Sequence, residues 1–324
     1  YLKEDKMDID AGGLTFQLKD QALFKQKCFI DGKWVDSESG DTFDVYNPSD
    51  LTTVGSMPNC SKSDTIKAIE AAKKSWSAWK KLTGKDRSII IRKWHELILE
   101  NIDDLALIMT LENGKPIADS RGEIIYASWF TDWFSEEAKR TYGKTIPSTM
   151  ADRRMMSIKQ PIGVCGIITP WNFPAAMITR KIAPALAAGC PVVIKPAGST
   201  PFSATALVEL AHRAGVPNGV INLISVSEEN VSEVGDELCT NNDVRKISFT
   251  GSTNVGRALI AKTASTIKKV SMELGGHAPL IIFEDADLDE AVEGAMANKY
   301  RNSGQVCVSA NRIFVHENIY DEFA

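Results

Sequence analysis

The 324-residue chain carries 37 Lys and Arg against 42 Asp and Glu, a formal charge of −5, with 44% hydrophobic and 24% charged residues. This balance excludes disordered and collagen-like chains. Mild acidity with both signs interspersed excludes a nucleic-acid partner, which needs a concentrated basic stripe. No run of about 18 uncharged apolar residues occurs, so no membrane partner is expected; at roughly 150 residues per domain the length suggests two domains.

In chain order, residues 1–20 are polar, hold a Gly12-Gly13 pair and read as a tail. Phe29-Ile30-Asp31-Gly32-Lys33-Trp34-Val35 predicts two short strands about an Asp-Gly turn. Ile66, Ile69, Ala72, Trp76 and Trp79 recur at helical spacing behind Ser61 and Ser63, either of which can cap that helix. Further amphipathic helices are predicted over 86–111 and 119–142. From residue 162 the pattern changes. Strands at 162–169, 192–194, 220–224, 246–250, 270–274 and 279–283 alternate with helices at 174–188 and 202–214, one running through Leu238, and one after Gly256. Such alternation implies parallel βαβ units, hence an α/β fold with an open, doubly wound parallel sheet. Ligands bind such sheets at the carboxyl ends of their strands.

Six cysteines, at 28, 60, 165, 190, 239 and 307, include no CxxC, and the four histidines form no HExxH pair. No metal site is expected, and the thiols read as free, in a reducing compartment. The expected location is the cytoplasm, with the mitochondrial matrix left open: the chain begins at Tyr1 rather than Met, so a presequence upstream would not be visible. Residues 318–324 read as the first turn of a helix cut short, so the chain is expected to be a fragment.

Four segments can carry chemistry. Gly251-Ser252-Thr253-Asn254-Val255-Gly256 follows a strand and opens a helix, where backbone N–H groups and the helix dipole favour a phosphate. Its G-x4-G spacing is that of a Walker A loop, but Arg257-Ala258 stands where Lys-Ser/Thr is required; a tight strand-to-helix turn is the other reading. In Pro170-Trp171-Asn172-Phe173-Pro174 the asparagine sits on a stiff loop, as a fixed amide donor or as an N-cap. In Asn302-Ser303-Gly304-Gln305-Val306-Cys307 the cysteine is a nucleophile or an inert core filler. In Met272-Glu273-Leu274-Gly275-Gly276 the carboxylate is a mobile base or a solvated loop residue.

Together, PWNFP, Lys195-Pro196-Ala197, Phe249-Thr250-Gly251-Ser252, MELGG and GQVC resemble the aldehyde dehydrogenase superfamily from about Phe29 to the last residue. The Glu273-to-Cys307 spacing matches that family's base-to-nucleophile interval. The resemblance implies that Cys307 attacks an aldehyde as a thiolate, that Asn172 and the Cys307 N–H hold the resulting oxyanion, and that Glu273 activates water. It implies a dinucleotide with its pyrophosphate on residues 251–256, its adenosine ribose at Lys195, Pro196 and Ala197, and Trp171 and Gly198 nearby. Where the usual NAD-preferring pattern has Glu after KPA, this chain has Gly198-Ser199, which removes repulsion of a 2′-phosphate; NADP, or dual use with NAD, is expected.

Ala175-Ala176-Met177-Ile178-Thr179-Arg180-Lys181 is similar to the succinate-semialdehyde dehydrogenase branch, in which Arg180 and Arg301 hold the substrate's distal carboxylate. A solvated face for Arg180 and a salt bridge on the helix 287–301 for Arg301 are the ordinary readings. Relatives with a second cysteine two positions after the nucleophile form a redox pair; Ser309 stands here instead. The resemblance implies 21–143 and 163–274 as the dinucleotide-binding domain, 144–162 as a bridging or oligomerisation hairpin, and 275–324 as the start of a catalytic domain. It also implies a homo-oligomer for the full-length protein. The alternatives are a dehydrogenase for another short aldehyde, such as glutarate semialdehyde or betaine aldehyde, and an inert dinucleotide-binding fragment.

Overall fold

The computed structural model describes residues 9–11 and 14–324. Part of the segment read as a tail is ordered: β1 (Ile9–Ala11) and β2 (Leu14–Phe16) pair antiparallel, with Ile9 opposite Phe16. Leu18 is buried, and Asp20 caps a 3-10 turn at Gln21–Leu23 while pairing with Arg213. Three-residue strands carry no readable period; Gly12-Gly13 lies outside the described residues. β3 (Cys28–Ile30) and β4 (Lys33–Val35) form the expected hairpin, turning at Asp31 (φ 50°) and Gly32 (φ 78°). A Cβ on Gly32 would lie 2.1 Å from the Asn218 side chain, so the turn needs glycine twice over. β5 (Thr42–Tyr46) and β6 (Thr53–Pro58) make a second antiparallel hairpin.

Helix α1 (Lys62–Trp79) starts at Ser61, whose N–H donates to Asp64 Oδ2 at 2.9 Å. The single helix expected over 86–111 is two, α2 (Gly84–Glu100) and α3 (Ile102–Asn113), broken where the Asn101 amide donates to the Leu97 carbonyl at 2.8 Å. Gly114, left-handed at φ 81°, ends α3. After Pro116 comes α4 (Ile117–Glu137), which stops short of the expected Tyr142. β7 (Lys144–Ile146) and β8 (Met155–Ser157) form an exposed hairpin.

The central sheet gains β9 (Val164–Ile168), β10 (Val192–Lys195), β11 (Ile221–Leu223), β12 (Val244–Thr250) and β13 (Lys269–Glu273). Its order is β13-β12-β9-β10-β11-β3-β4. The first five are parallel, as the βαβ alternation requires. The wholly parallel sheet is corrected at one edge, where β3 joins β11 antiparallel through Phe29 and Leu223.

Helices α5 (Ala176–Ala187) and α6 (Phe202–Arg213) cover one face, with α2 to α4 packed outside them; α1, α7 (Val231–Thr240) and α8 (Thr253–Thr263) cover the other. Side-chain alternation divides the two cores: Val192 and Ile194 face the first, Val193 the second. Helix α8 begins three residues before Gly256, not after it, because Ser252 accepts from the Val255 N–H. A parallel pair, β14 (Pro279–Ile282) and β15 (Arg312–Val315), brackets α9 (Leu288–Tyr300), and α10 (Tyr320–Phe323) follows. Among the described residues no helix is long and apolar enough to cross a membrane.

Candidate active site

The sheet reverses its direction of growth between β9 and β12. Crevices form at such a switch point because the loops leaving the two strands turn to opposite faces. Here the β9 loop carries Asn172 and the β12 loop carries Gly251 and Ser252. Between them opens a cavity of about 500 Å³ lined also by Trp171, Arg180, Glu273, Arg301 and Cys307.

Asn172 is not the N-cap of α5. That place belongs to Ala175, and the N–H groups of Ala175 and Ala176 donate instead to Glu123 Oε1, at 2.9 and 3.1 Å. The Asn172 amide points toward the cysteine loop, its Nδ2 donating to the Gln305 carbonyl at 2.8 Å. Its Oδ1 is buried without a partner among the described residues.

Cys307 is exposed, whereas the other five cysteines are buried. It follows three consecutive left-handed residues, Asn302 (φ 50°), Ser303 (φ 56°) and Gly304 (φ 72°). Two of these lack glycine's freedom, and backbone strain of this kind persists only where surrounding contacts hold it. One such contact is the Asn302 amide, which donates to the Asn172 carbonyl at 3.2 Å. Ser309 is buried and turned away, its Oγ donating to the Lys299 carbonyl at 3.0 Å.

Glu273 is the last residue of β13, in register with Thr250, and its carbonyl accepts from the Gly251 N–H at 3.1 Å. Both arginines enter the cavity as cations without acidic partners among the described residues, so the salt bridge considered for Arg301 is absent. The Arg180 guanidinium lies 5.4 Å over the Phe130 ring and the Arg301 guanidinium 5.9 Å over Phe173.

The remaining predicted residues flank this cavity without lining it. Lys195 ends β10, buried; its Nζ donates to the Pro196 carbonyl at 2.9 Å, and burial holds its pKa down to about 8. Pro196, Ala197 and Gly198 continue the chain, and a Cβ on Gly198 would lie 3.0 Å from the Val226 carbonyl. Thr253, Asn254, Val255 and Gly256 form the first turn of α8, whose leading N–H groups lack intrahelical acceptors. Among the described residues no group of three His, Cys, Asp or Glu could hold a metal ion.

Sequence reasoning missed Lys115, Glu123 and Lys181. Lys181 is buried and donates to Ser248 Oγ at 2.9 Å; burial and then the Arg180 charge hold it down to about 8, against the pull of Glu273. The missed signal at Glu123 is a charge on the face of α4 that also buries Ile124 and Ala127.

A thiol, a carboxylate, an amide donor and two guanidiniums around one cavity suit nucleophilic attack on a carbonyl that carries a distant negative charge. Residues 34–324 match the Aldehyde dehydrogenase family. The chain belongs to the aldehyde dehydrogenase family. It is 58% identical over 308 residues to a glutarate-semialdehyde dehydrogenase of Pseudomonas putida, a match covering 95% of this chain and 64% of that protein. It is 56% identical over 308 residues to an NADP(+) succinate-semialdehyde dehydrogenase of Escherichia coli, covering 95% and 63%. A crystal structure of an E. coli NADP-dependent enzyme superposes with a TM-score of 0.93 at 56% identity, again covering 95% of this chain and 63% of that one. The chain thus spans less than two thirds of the length of these aldehyde dehydrogenase relatives. The fold is theirs, mixed sheet included.

Proposed function

We propose that the protein oxidises succinate semialdehyde to succinate with NADP or NAD, as in 4-aminobutyrate breakdown. One observation carries this reading: a single cavity joins Cys307, Asn172 and Glu273 to the guanidiniums of Arg180 and Arg301. The thiolate of Cys307 bonds to the aldehyde carbon, and the carbonyl oxygen becomes an oxyanion. The second Nδ2 proton of Asn172 and the backbone N–H of Cys307 stabilise that charge. A hydride leaves the thiohemiacetal carbon, and a thioester remains on Cys307. Glu273 then takes a proton from water; the hydroxide oxygen bonds to the thioester carbon, the C–S bond breaks, and the thiolate is regenerated as the acid departs. Arg180 and Arg301 hold the far carboxylate through paired hydrogen bonds.

A bound nicotinamide dinucleotide supplies the hydride acceptor. The residues present fit one. Among the described residues the buried Lys195 ammonium has a lone carbonyl as its hydrogen-bond partner, Thr200 Oγ1 and Thr250 Oγ1 are buried without partners, and the Thr253 and Asn254 N–H groups that open α8 are unpaired, Val255 being capped by Ser252. Residues 251–256 would hold the pyrophosphate, and Lys195, Pro196 and Ala197 the adenosine ribose, beside Gly198 and Trp171. With Gly198 and the exposed Ser199 placing no carboxylate there, a 2′-phosphate meets no repulsion, which favours NADP. In this reading 21–143 and 163–274 are the dinucleotide-binding domain, 275–324 begins the catalytic one, and 144–162 serves assembly into a homo-oligomer.

A relative named for glutarate semialdehyde favours that aldehyde as a second reading. The two substrates share the distal carboxylate and differ by one methylene, worth about 1–3 kcal/mol in a fitted pocket. Reduced-dinucleotide absorbance, followed with both semialdehydes and with betaine aldehyde, decides between them. A preference for the cationic betaine aldehyde defeats the arginine assignment.

A further inference from the structure

The loop that presents Asn172 is held at both ends by one buried ion pair. Lys115 lies in the link between α3 and α4, and Glu123 in the second turn of α4; their side chains are 5% and 1% exposed and meet at 2.5 Å. Lys115 Nζ also donates to the Asn172 carbonyl at 2.9 Å and lies 4.6 Å over the Phe173 ring. Glu123 Oε1 takes the N–H groups of Ala175 and Ala176, where the same loop enters α5. One end of the pair therefore fixes the Asn172 peptide, and the other fixes the start of α5.

We propose that Lys115 and Glu123 are positioning residues which set the Asn172 amide for its work at Cys307, an inference that rests on the oxyanion role given to Asn172 above. Two charges buried together are an expensive way to close a loop, because desolvating each costs more than a well-packed apolar pair of the same volume. Burial pushes the Glu123 carboxyl up, against the pull of Lys115. What the pair supplies is geometry. Three backbone groups within five residues, the Asn172 carbonyl and the Ala175 and Ala176 N–H groups, are held by one ion pair at the start of α4, while Asn172 Nδ2 reaches across to the Gln305 carbonyl. A donor displaced by about 1 Å loses on the order of 10²-fold in rate.

The test uses two reagents for Cys307 that need no dinucleotide. A p-nitrophenyl ester acylates the thiolate through an oxyanion and needs the amide; iodoacetamide alkylates it by displacement and forms none. In Lys115→Met, and in Lys115→Met/Glu123→Gln should the single variant strand its carboxylate and fail to fold, ester acylation should fall about 10- to 100-fold while alkylation stays within about twofold. Glu123→Gln alone keeps an oxygen for the two N–H groups and should retain most of the rate. In an Asn172→Ala background the same substitutions should add little further loss. Equal falls in acylation and alkylation, an undiminished acylation rate, or losses that multiply in the Asn172→Ala background would each overturn the proposal. Failure of the semialdehyde reading shows separately, as no reduced dinucleotide formed by the unaltered protein.

Discussion

Asn172 and Gln305 are joined by a 2.8 Å hydrogen bond from amide Nδ2 to backbone carbonyl, which ties the loop after β9 to the loop that ends at Cys307. The bond fixes the amide within two residues of the thiol and leaves its other proton for a ligand.

Asn172→Ala removes that donor without adding bulk. Turnover of a semialdehyde should fall about 10²–10³-fold, with KM changing far less, because the interaction strengthens only as charge develops on oxygen. Steady-state kinetics with the two constants resolved checks this. A rise in KM at constant kcat would mean that Asn172 binds substrate instead.

Arg180→Ala and Arg301→Ala should act on the opposite constant. Each takes a charge-assisted hydrogen bond from the distal carboxylate, worth about 1.5–3 kcal/mol, so KM should rise roughly 10- to 100-fold. Propanal, which lacks the carboxylate, should be oxidised as before. Parallel assays of the semialdehyde and propanal separate the two effects.

Much of this candidate site is legible in the sequence, for a local reason. Asn172 and Cys307 sit in short turns rich in Gly, Pro or small polar residues, Glu273 ends a strand just before Leu274-Gly275-Gly276, and the apolar strands 164–168 and 192–195 announce the buried sheet beside them. What escaped was set by distant partners. The break between α2 and α3 depends on the Asn101 amide closing onto the Leu97 carbonyl, in a stretch whose periodicity runs straight through. Lys115 and Glu123 gain their meaning from Asn172 and Ala175, far along the chain. Strands β1 and β2 are too short to show a period. The antiparallel edge of the sheet follows from Phe29 pairing with Leu223, a choice that strand composition does not express.

Lys195→Met should raise stability and lower dinucleotide affinity together. Burial depresses the lysine from 10.5 to about 8, so between those values the unfolded chain binds more protons than the folded one. Stability therefore rises with pH across about 8 to 10.5, and the cost, on the order of 3 kcal/mol, is fully present below pH 8. The methionine variant should melt higher at pH 7 without ligand and lose that slope, while binding NADP more weakly. Thermal melts across the pH range, with and without NADP, check both halves.

Peroxide should not lock the nucleophile into an intramolecular disulfide. The position two residues on is Ser309, and the five other thiols are buried while Cys307 is exposed. Peptide mass mapping after hydrogen peroxide should find Cys307 as oxyacids or mixed adducts; a Cys307-linked internal disulfide would contradict this.

The most direct measurement of the central claim is the semialdehyde oxidation rate of Cys307→Ser beside the unaltered protein, at matched dinucleotide saturation. A hydroxyl at this place is a far weaker nucleophile than a thiolate, so reduced-dinucleotide formation should fall by at least about 10³-fold while NADP still binds. Undiminished oxidation by the serine variant would contradict the account.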